Sequence, residues 1–317
     1  MESLASTVKM LYFLLYRIGV FISLVLPVKI AYRIADIFGR FYYLLARRDR
    51  KIVTNNLKVI LNRTGNTPEV QYASRMVFTN FARYLVEFFR TPKIDLKYIE
   101  KCVEIRGREN LDKALSLGRG VLLVSAHLGN WELGAIVLSI LGYPVNVVAW
   151  THRNRLINDF FLQQRQSKGV KIIPLGTAIR KVFSALKNNE AVGFLGDIDY
   201  ADPQTGITVK LFGRDTIMPK GPAAFSLKAG SPIIPLFMLR EKGNKFRFIF
   251  EEPIIYKATG NREDDLTALT QILTKTIESY VARNPGQWFM LTPRWQSAQT
   301  VGAVDGTVGA VDARTDR

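Results

Sequence analysis

His127 and Glu132 pair an imidazole with a carboxylate inside the segment GVLLVSAHLGNWELGAIVLSILG. The segment reads as a buried strand, a turn and a helix, which puts His127 at the C-terminal end of the strand and Glu132 in the first turn of the helix. Four intervening residues let the chain reverse, so the carboxylate could hold one ring nitrogen and leave the other facing a substrate. A histidine held this way can deprotonate a hydroxyl that the substrate brings. The amides of Gly129, Asn130 and Trp131, at the start of the helix, could meet a developing oxyanion or a phosphate. The same residues also fit a turn histidine with satisfied hydrogen bonds and an acid set against the helix dipole. Placement at a strand end brings the two readings level, because open α/β sheets bind ligands at that edge.

Scarcity narrows the choice. The chain has two histidines, so imidazole chemistry uses His127 or His152, and its single cysteine, Cys102, rules out an intrachain disulfide. This composition does not suit a zinc site of the usual ligands, and no cofactor is expected. No G-x-S-x-G elbow occurs, and Cys102 precedes the first clear sheet segment, so a covalent intermediate on the enzyme has no obvious carrier.

The elements that must position these residues follow from hydrophobic periodicity. Strands are expected at Val103–Arg106, Gly120–Ala126, Val145–Trp150, Lys171–Pro174, Ala191–Leu195, Thr208–Phe212, Ile233–Leu239 and Phe246–Glu251. Helices are expected at Leu111–Ser116, Trp131–Leu141, Leu156–Gln166, Ala178–Lys187, Pro222–Ala229 and Asp264–Arg283, with another over residues 69 to 90. Short apolar strands alternating with helices predict an α/β fold with a mostly parallel central sheet flanked by helices.

Ahead of that sheet, Met10 to Val28 is an apolar run interrupted by Arg17. A central arginine costs roughly 2.5 to 3.5 kcal/mol on insertion, so spanning a membrane and lying on one are both open. No small-residue cleavage site follows it, which disfavours a removed signal peptide. Arg33, Arg40 and Arg47 then recur every seven residues along a basic amphipathic helix, and residues 1 to 60 hold ten Lys/Arg against three acids. The whole chain carries +17. This arrangement predicts attachment to an anionic membrane surface; the other reading is a buried helix followed by a solvated one. The expected division is an N-terminal membrane-associating helical region over 1–50, a catalytic domain over 51–298, and a disordered low-complexity tail over 299–317, where VGAVD occurs twice.

The block from His127 to Glu132 resembles the H-x4-D/E block of the glycerolipid and lysophospholipid acyltransferase superfamily, and its context looks like the lipid A biosynthesis branch. Further similar blocks follow in order. They are Arg153 and Asn154 in THRN; Gly196, Asp197, Asp199 and Tyr200 in GDIDY; Phe212 and Gly213 followed by Thr216, Gly221 and Pro222; GSPIIP from Gly230 to Pro235; and PGQW from Pro285 to Trp288 with Arg294 and Trp295. The resemblance spans roughly residues 10 to 296. It departs at Leu291, Thr292 and Pro293, where the family often carries histidine and a second arginine.

The resemblance implies transfer of a fatty acyl group from a thioester of acyl carrier protein or CoA to a hydroxyl of a lipid A precursor or related saccharide lipid. His127 would be the base and Glu132 the residue that orients it. Arg153 would meet a phosphate on the acceptor, Asn154 would bind substrate beside it, Asp197 and Asp199 would hold an arginine or sugar hydroxyls, and Lys220 and Gly221 would help to bind phosphate. The family also implies an inner-membrane location with the catalytic domain on the cytoplasmic face. A sister activity on a phosphatidylinositol mannoside or a lysophospholipid would use the same residues, and a non-catalytic lipid-binding protein would not need His127. Nucleic acid is not an expected partner: the charge would suffice, but no nucleic-acid-binding signature is present and the basic cluster adjoins an apolar helix.

Overall fold

The computed structural model describes residues 2–152, 154–197 and 206–295, apart from the side chains at 2–9 and 12. Four helices lead: α1 (Glu2–Val25), α2 (Val28–Leu45), α3 (Arg47–Ile60) and α4 (Pro68–Phe89). A short α5 (Leu96–Cys102) runs into β1 (Val103–Arg106), followed by α6 (Arg108–Leu115), β2 (Val121–Ser125), α7 (Trp131–Ile140), β3 (Val145–Ala149), α8 (Arg155–Gln166), β4 (Lys171–Pro174), α9 (Ala178–Lys187) and β5 (Ala191–Leu195). The chain continues through β6 (Gly206–Leu211), β7 (Arg214–Pro219), α10 (Gly221–Ala229), β8 (Ile233–Arg240), β9 (Phe246–Phe250) and α11 (Arg262–Arg283).

Among the described residues, seven strands form one sheet in the order β1-β9-β8-β2-β5-β3-β4. The five strands from β8 to β4 run parallel, while β9 pairs antiparallel with β8 and carries β1 beside it. The α/β class and the mostly parallel sheet expected from the sequence are therefore present. In β2, Val121, Leu122, Leu123 and Val124 are all buried, and β8 is buried along its whole length. Strands covered on both faces read as unbroken apolar runs, which is why these two were legible without alternation. One strand was not expected: β7 pairs antiparallel with β6 as a separate hairpin. Its sequence, RDTIMP, mixes charge and a terminal proline and gives no alternating pattern.

The N-terminal helices pack on the sheet through α4, which is capped by Thr67 and started by Pro68. Its buried stripe runs Val70, Ala73, Val77, Asn80, Tyr84 and Glu87, at the three- and four-residue spacing of one helical face. Helix α2 crosses α4 closely enough that a side chain at Gly39 would meet the Thr79 backbone at 2.8 Å. Asp36 grips Arg83 with two hydrogen bonds of 2.5 and 2.7 Å. Helix α3 runs unbroken through residues 50 and 51.

The side of α2 away from α4 is not purely polar: Ile37, Phe38, Phe41, Leu44 and Leu45 are all exposed, together with Arg33 and Arg40. Met10, Leu11, Leu14, Leu15, Ile18 and Phe21 of α1 are exposed too. Among the described residues no helix is long and apolar enough to cross a membrane. The expected tail over 299–317 lies outside the described residues.

Candidate active site

His127 lies two residues beyond the end of β2, and Asp197 two residues beyond the end of the neighbouring β5. The parallel register pairs Ser125 with Leu195, and the ladder extends one step further through the Gly196 amide to the Ser125 carbonyl at 2.8 Å. Continuing that register sets His127 beside Asp197. The His127 ring nitrogen Nδ1 is 2.9 Å from Asp197 Oδ1, and the His127 backbone amide donates to Asp197 Oδ2 at 2.9 Å. The Trp288 indole donates to the same Oδ2 at 2.8 Å.

Asp197 is fully buried. Burial pushes its carboxyl upward, but the His127 charge together with the hydrogen bonds from His127 and Trp288 outweighs that push and holds it below the usual aspartate value. The His127 side chain keeps 17% of its surface exposed. An ionised carboxylate on Nδ1 fixes the ring's orientation and leaves Nε2 as the nitrogen able to take a proton.

Beneath the ring lies an aromatic stack. Trp131 meets His127 edge-on at 4.9 Å between ring centres, and Tyr84 stacks on Trp131 at 4.6 Å. Each such pair contributes about 0.5–1.5 kcal/mol beyond simple burial. The C-terminal segment closes the other side: Phe289 donates its amide to the His127 carbonyl at 2.8 Å, and Leu128 bridges to Trp288.

Glu132 is placed differently from the sequence-based expectation. The helix begins at Trp131 with Asn130 as its cap, so Trp131 takes the position that faces His127 and Glu132 turns toward α8. There it binds Arg165 in a fork, with distances of 2.8 and 2.6 Å. The carboxylate that holds His127 is Asp197. Both members of the Glu132–Arg165 pair are largely buried, and although burial acts to lower the Arg165 guanidinium, the Glu132 charge and hydrogen bonds raise it overall.

The Gly129 and Asn130 amides, expected to face an oxyanion or phosphate, are used within the protein instead. Gly129 donates to the Gln287 carbonyl at 3.0 Å and Asn130 to the Met238 carbonyl at 2.8 Å. The turn packs so tightly there that a side chain at Gly129, where φ is +68°, would sit 2.1 Å from the Met238 oxygen.

Asn154 caps α8, its side-chain oxygen accepting from Leu156 and Ile157 at 3.1 and 3.5 Å, which gives that oxygen a structural use rather than the expected acceptor contact. Lys220 caps the start of α10 and Gly221 is its first residue. Arg153 and Asp199 lie outside the described residues. His152 packs its ring on Phe161 at 4.8 Å. Among the described residues no group of three His, Cys, Asp or Glu side chains could hold a metal ion.

The bacterial lipid A biosynthesis acyltransferase family matches residues 2–297. The chain belongs to that family. It is 30% identical over 223 residues to a phosphatidylinositol mannoside acyltransferase of Mycobacterium tuberculosis, covering 68% of each chain. It is also 25% identical over 280 residues to the lipid A biosynthesis lauroyltransferase of Escherichia coli, covering 86% of this chain and 87% of the relative. A palmitoleoyltransferase of lipid A biosynthesis from the same organism is 24% identical over 199 residues, with 63% of each chain covered.

As a member of this acyltransferase family, the protein is an enzyme that transfers acyl groups. Several residues that shape its site carried no role in the sequence reading. Arg165, which holds Glu132, is one basic residue among many. Glu87 and Arg240 had a readable signal: Glu87 is a lone acid on the buried stripe of α4, and Arg240 a lone charge at the end of the apolar run IIPLFMLR. A charge on a buried face is costly unless paired, so each pointed to a partner.

Proposed function

We propose that the protein moves a fatty acyl group from an acyl thioester to a hydroxyl of a saccharide lipid, with His127 as general base and Asp197 orienting it. The observation that carries this reading is the Asp197–His127 contact at the C-terminal edge of β2 and β5, in a chain of an acyltransferase family. His127 Nε2 takes the hydroxyl proton as the oxygen attacks the thioester carbonyl. The tetrahedral intermediate then collapses, the carbon–sulfur bond breaks, and the imidazolium returns its proton to the leaving thiolate. Asp197 keeps its negative charge throughout and stabilises the imidazolium.

The donor is acyl carrier protein or CoA, either of which suits a chain of +17 because both are acidic. The acceptor is a lipid A precursor or a related saccharide lipid. A phosphatidylinositol mannoside is the second reading, and it draws support from the 30% identity to an enzyme named for that substrate. The exposed apolar faces of α1 and α2, with Arg33, Arg40 and Arg47 exposed beside them, support docking on the cytoplasmic face of the inner membrane.

The test is mass spectrometry of the products formed when the purified enzyme meets both donor types and a mixed pool of acceptors. An ester of a saccharide lipid is expected from wild type and none from His127→Ala. Turnover by His127→Ala at the wild-type rate would overturn the base assignment.

A further inference from the structure

The turn that carries His127 is held by a buried charged cluster that takes no part in the proton transfer. Glu87 on α4 and Arg240 at the end of β8 are each less than a tenth exposed and form a two-pronged ion pair, the Nη2–Oε2 distance being 2.7 Å. Tyr32 of α2 donates its hydroxyl to Glu87 Oε1 at 2.6 Å. Asn130, in the turn itself, donates its side-chain amide to Glu87 Oε2 at 2.7 Å. The oxygen of that Asn130 side chain accepts from the Leu133 amide at 2.9 Å and caps α7.

Arg240 is tied to the turn a second way. Gln287 binds both the amide and the carbonyl of Arg240, at 2.9 and 3.0 Å, and its own carbonyl takes the Gly129 amide. The residues just after His127 are thus suspended from β8, from the C-terminal segment and from Glu87. Of these three supports, Glu87 is the one supplied by a charged side chain, and the one that touches the N-terminal helices.

We propose that Glu87, clamped by Arg240, is a positioning residue for acyl transfer that sets the His127 ring through Asn130. The inference rests on His127 acting as the base. A base displaced by about 1 Å loses on the order of a hundredfold in rate, and a single looser support loses less. Glu87→Gln would leave the Arg240 guanidinium buried without a counter-charge, and so tests folding rather than positioning.

Asn130→Ser is the deciding variant. Serine caps a helix about as well as asparagine, so α7 keeps its cap, but serine is too short to reach Glu87. The readouts are kcat and KM per folded molecule, the thermal midpoint, and the imidazole nitrogen resonances of protein labelled at its two histidines. The expected result is kcat about tenfold lower with KM unchanged, a thermal midpoint close to wild type, and a shifted His127 resonance. A kcat within about twofold of wild type overturns the proposal, as does a rate loss with His127 resonances unmoved. His127→Ala is assayed alongside. Turnover in that variant defeats the base assignment, whereas an inactive His127→Ala beside a fully active Asn130→Ser defeats only the role of Glu87.

Discussion

Trp288 donates its indole N–H to the Asp197 oxygen that also accepts the His127 backbone amide. That oxygen is therefore satisfied from two sides, and the other faces the imidazole. The arrangement explains why a fully buried carboxylate can stay ionised: three hydrogen bonds, one of them from the imidazole, replace the water it has lost. It also gives the PGQW segment a task, since Gln287, Trp288 and the next residue, Phe289, all bind the His127 turn or its carboxylate.

Asp197→Asn is expected to lower kcat by about 10³–10⁴-fold with little change in KM. The amide nitrogen of asparagine set against Nδ1 would favour the tautomer whose Nε2 carries the proton, and such a ring cannot accept one. Steady-state acyl transfer by the purified variant measures this. A loss of less than about tenfold would remove Asp197 from the base's machinery.

Glu132→Gln separates the two carboxylates. Removing its charge leaves Arg165 buried beside a neutral amide, so a stability loss of about 3–5 kcal/mol is expected, seen as a lower denaturation midpoint. Activity per folded molecule should stay within about tenfold of wild type, because Glu132 does not touch His127. A second change, Arg165→Met, should recover part of the lost stability. Inactivation of fully folded Glu132→Gln would instead return the orienting role to Glu132.

Asp197 also sets a pH dependence. Its carboxyl is held below the ordinary value in the folded protein, so around that value the unfolded chain binds more protons and stability rises with pH. The contribution is complete above the unfolded aspartate value of about 3.9 and is lost as pH falls through the lower, folded value. Denaturation of wild type and Asp197→Asn across acidic pH should show a difference that is flat above about pH 5 and shrinks below about pH 4. A difference that grows toward acid would contradict the ionised, hydrogen-bonded state of Asp197.

The sequence placed His127 at a strand end because β2 is an uninterrupted apolar run closed by a turn whose Gly129 tolerates no side chain. It could not choose between carboxylates. Asp197 lies 70 residues away and reaches His127 only because β5 inserts between β2 and β3, an order that local patterns do not contain. Glu132 was attractive by proximity, yet one residue of helical phase decides where it points, and the phase is set by Asn130 serving as the cap. The amides of the turn were misread for a related reason: their partners, Met238 and Gln287, come from β8 and the C-terminal segment. The hairpin of β6 and β7 was half legible, since GITVKL alternates and RDTIMP does not.

Membrane docking makes the remaining prediction. Phe38 and Phe41 of α2 are 66% and 57% exposed, on a face that nothing else in the described chain covers. Fully burying a phenylalanine contributes about 1.5–3 kcal/mol, so Phe38→Asp with Phe41→Asp should weaken binding to phosphatidylglycerol-containing vesicles by at least about tenfold. Flotation with vesicles measures this, and added salt should weaken the wild-type interaction as it screens Arg33, Arg40 and Arg47. The thermal midpoint should hardly move, because neither ring supports the protein's own core. Turnover of a soluble short-chain thioester with a detergent-dispersed acceptor should persist, whereas turnover of vesicle-borne acceptor should fall with binding. Unchanged flotation of the double variant would mean that α2 is not the docking face, and an equal loss in both assays would place the damage in the fold rather than at the membrane.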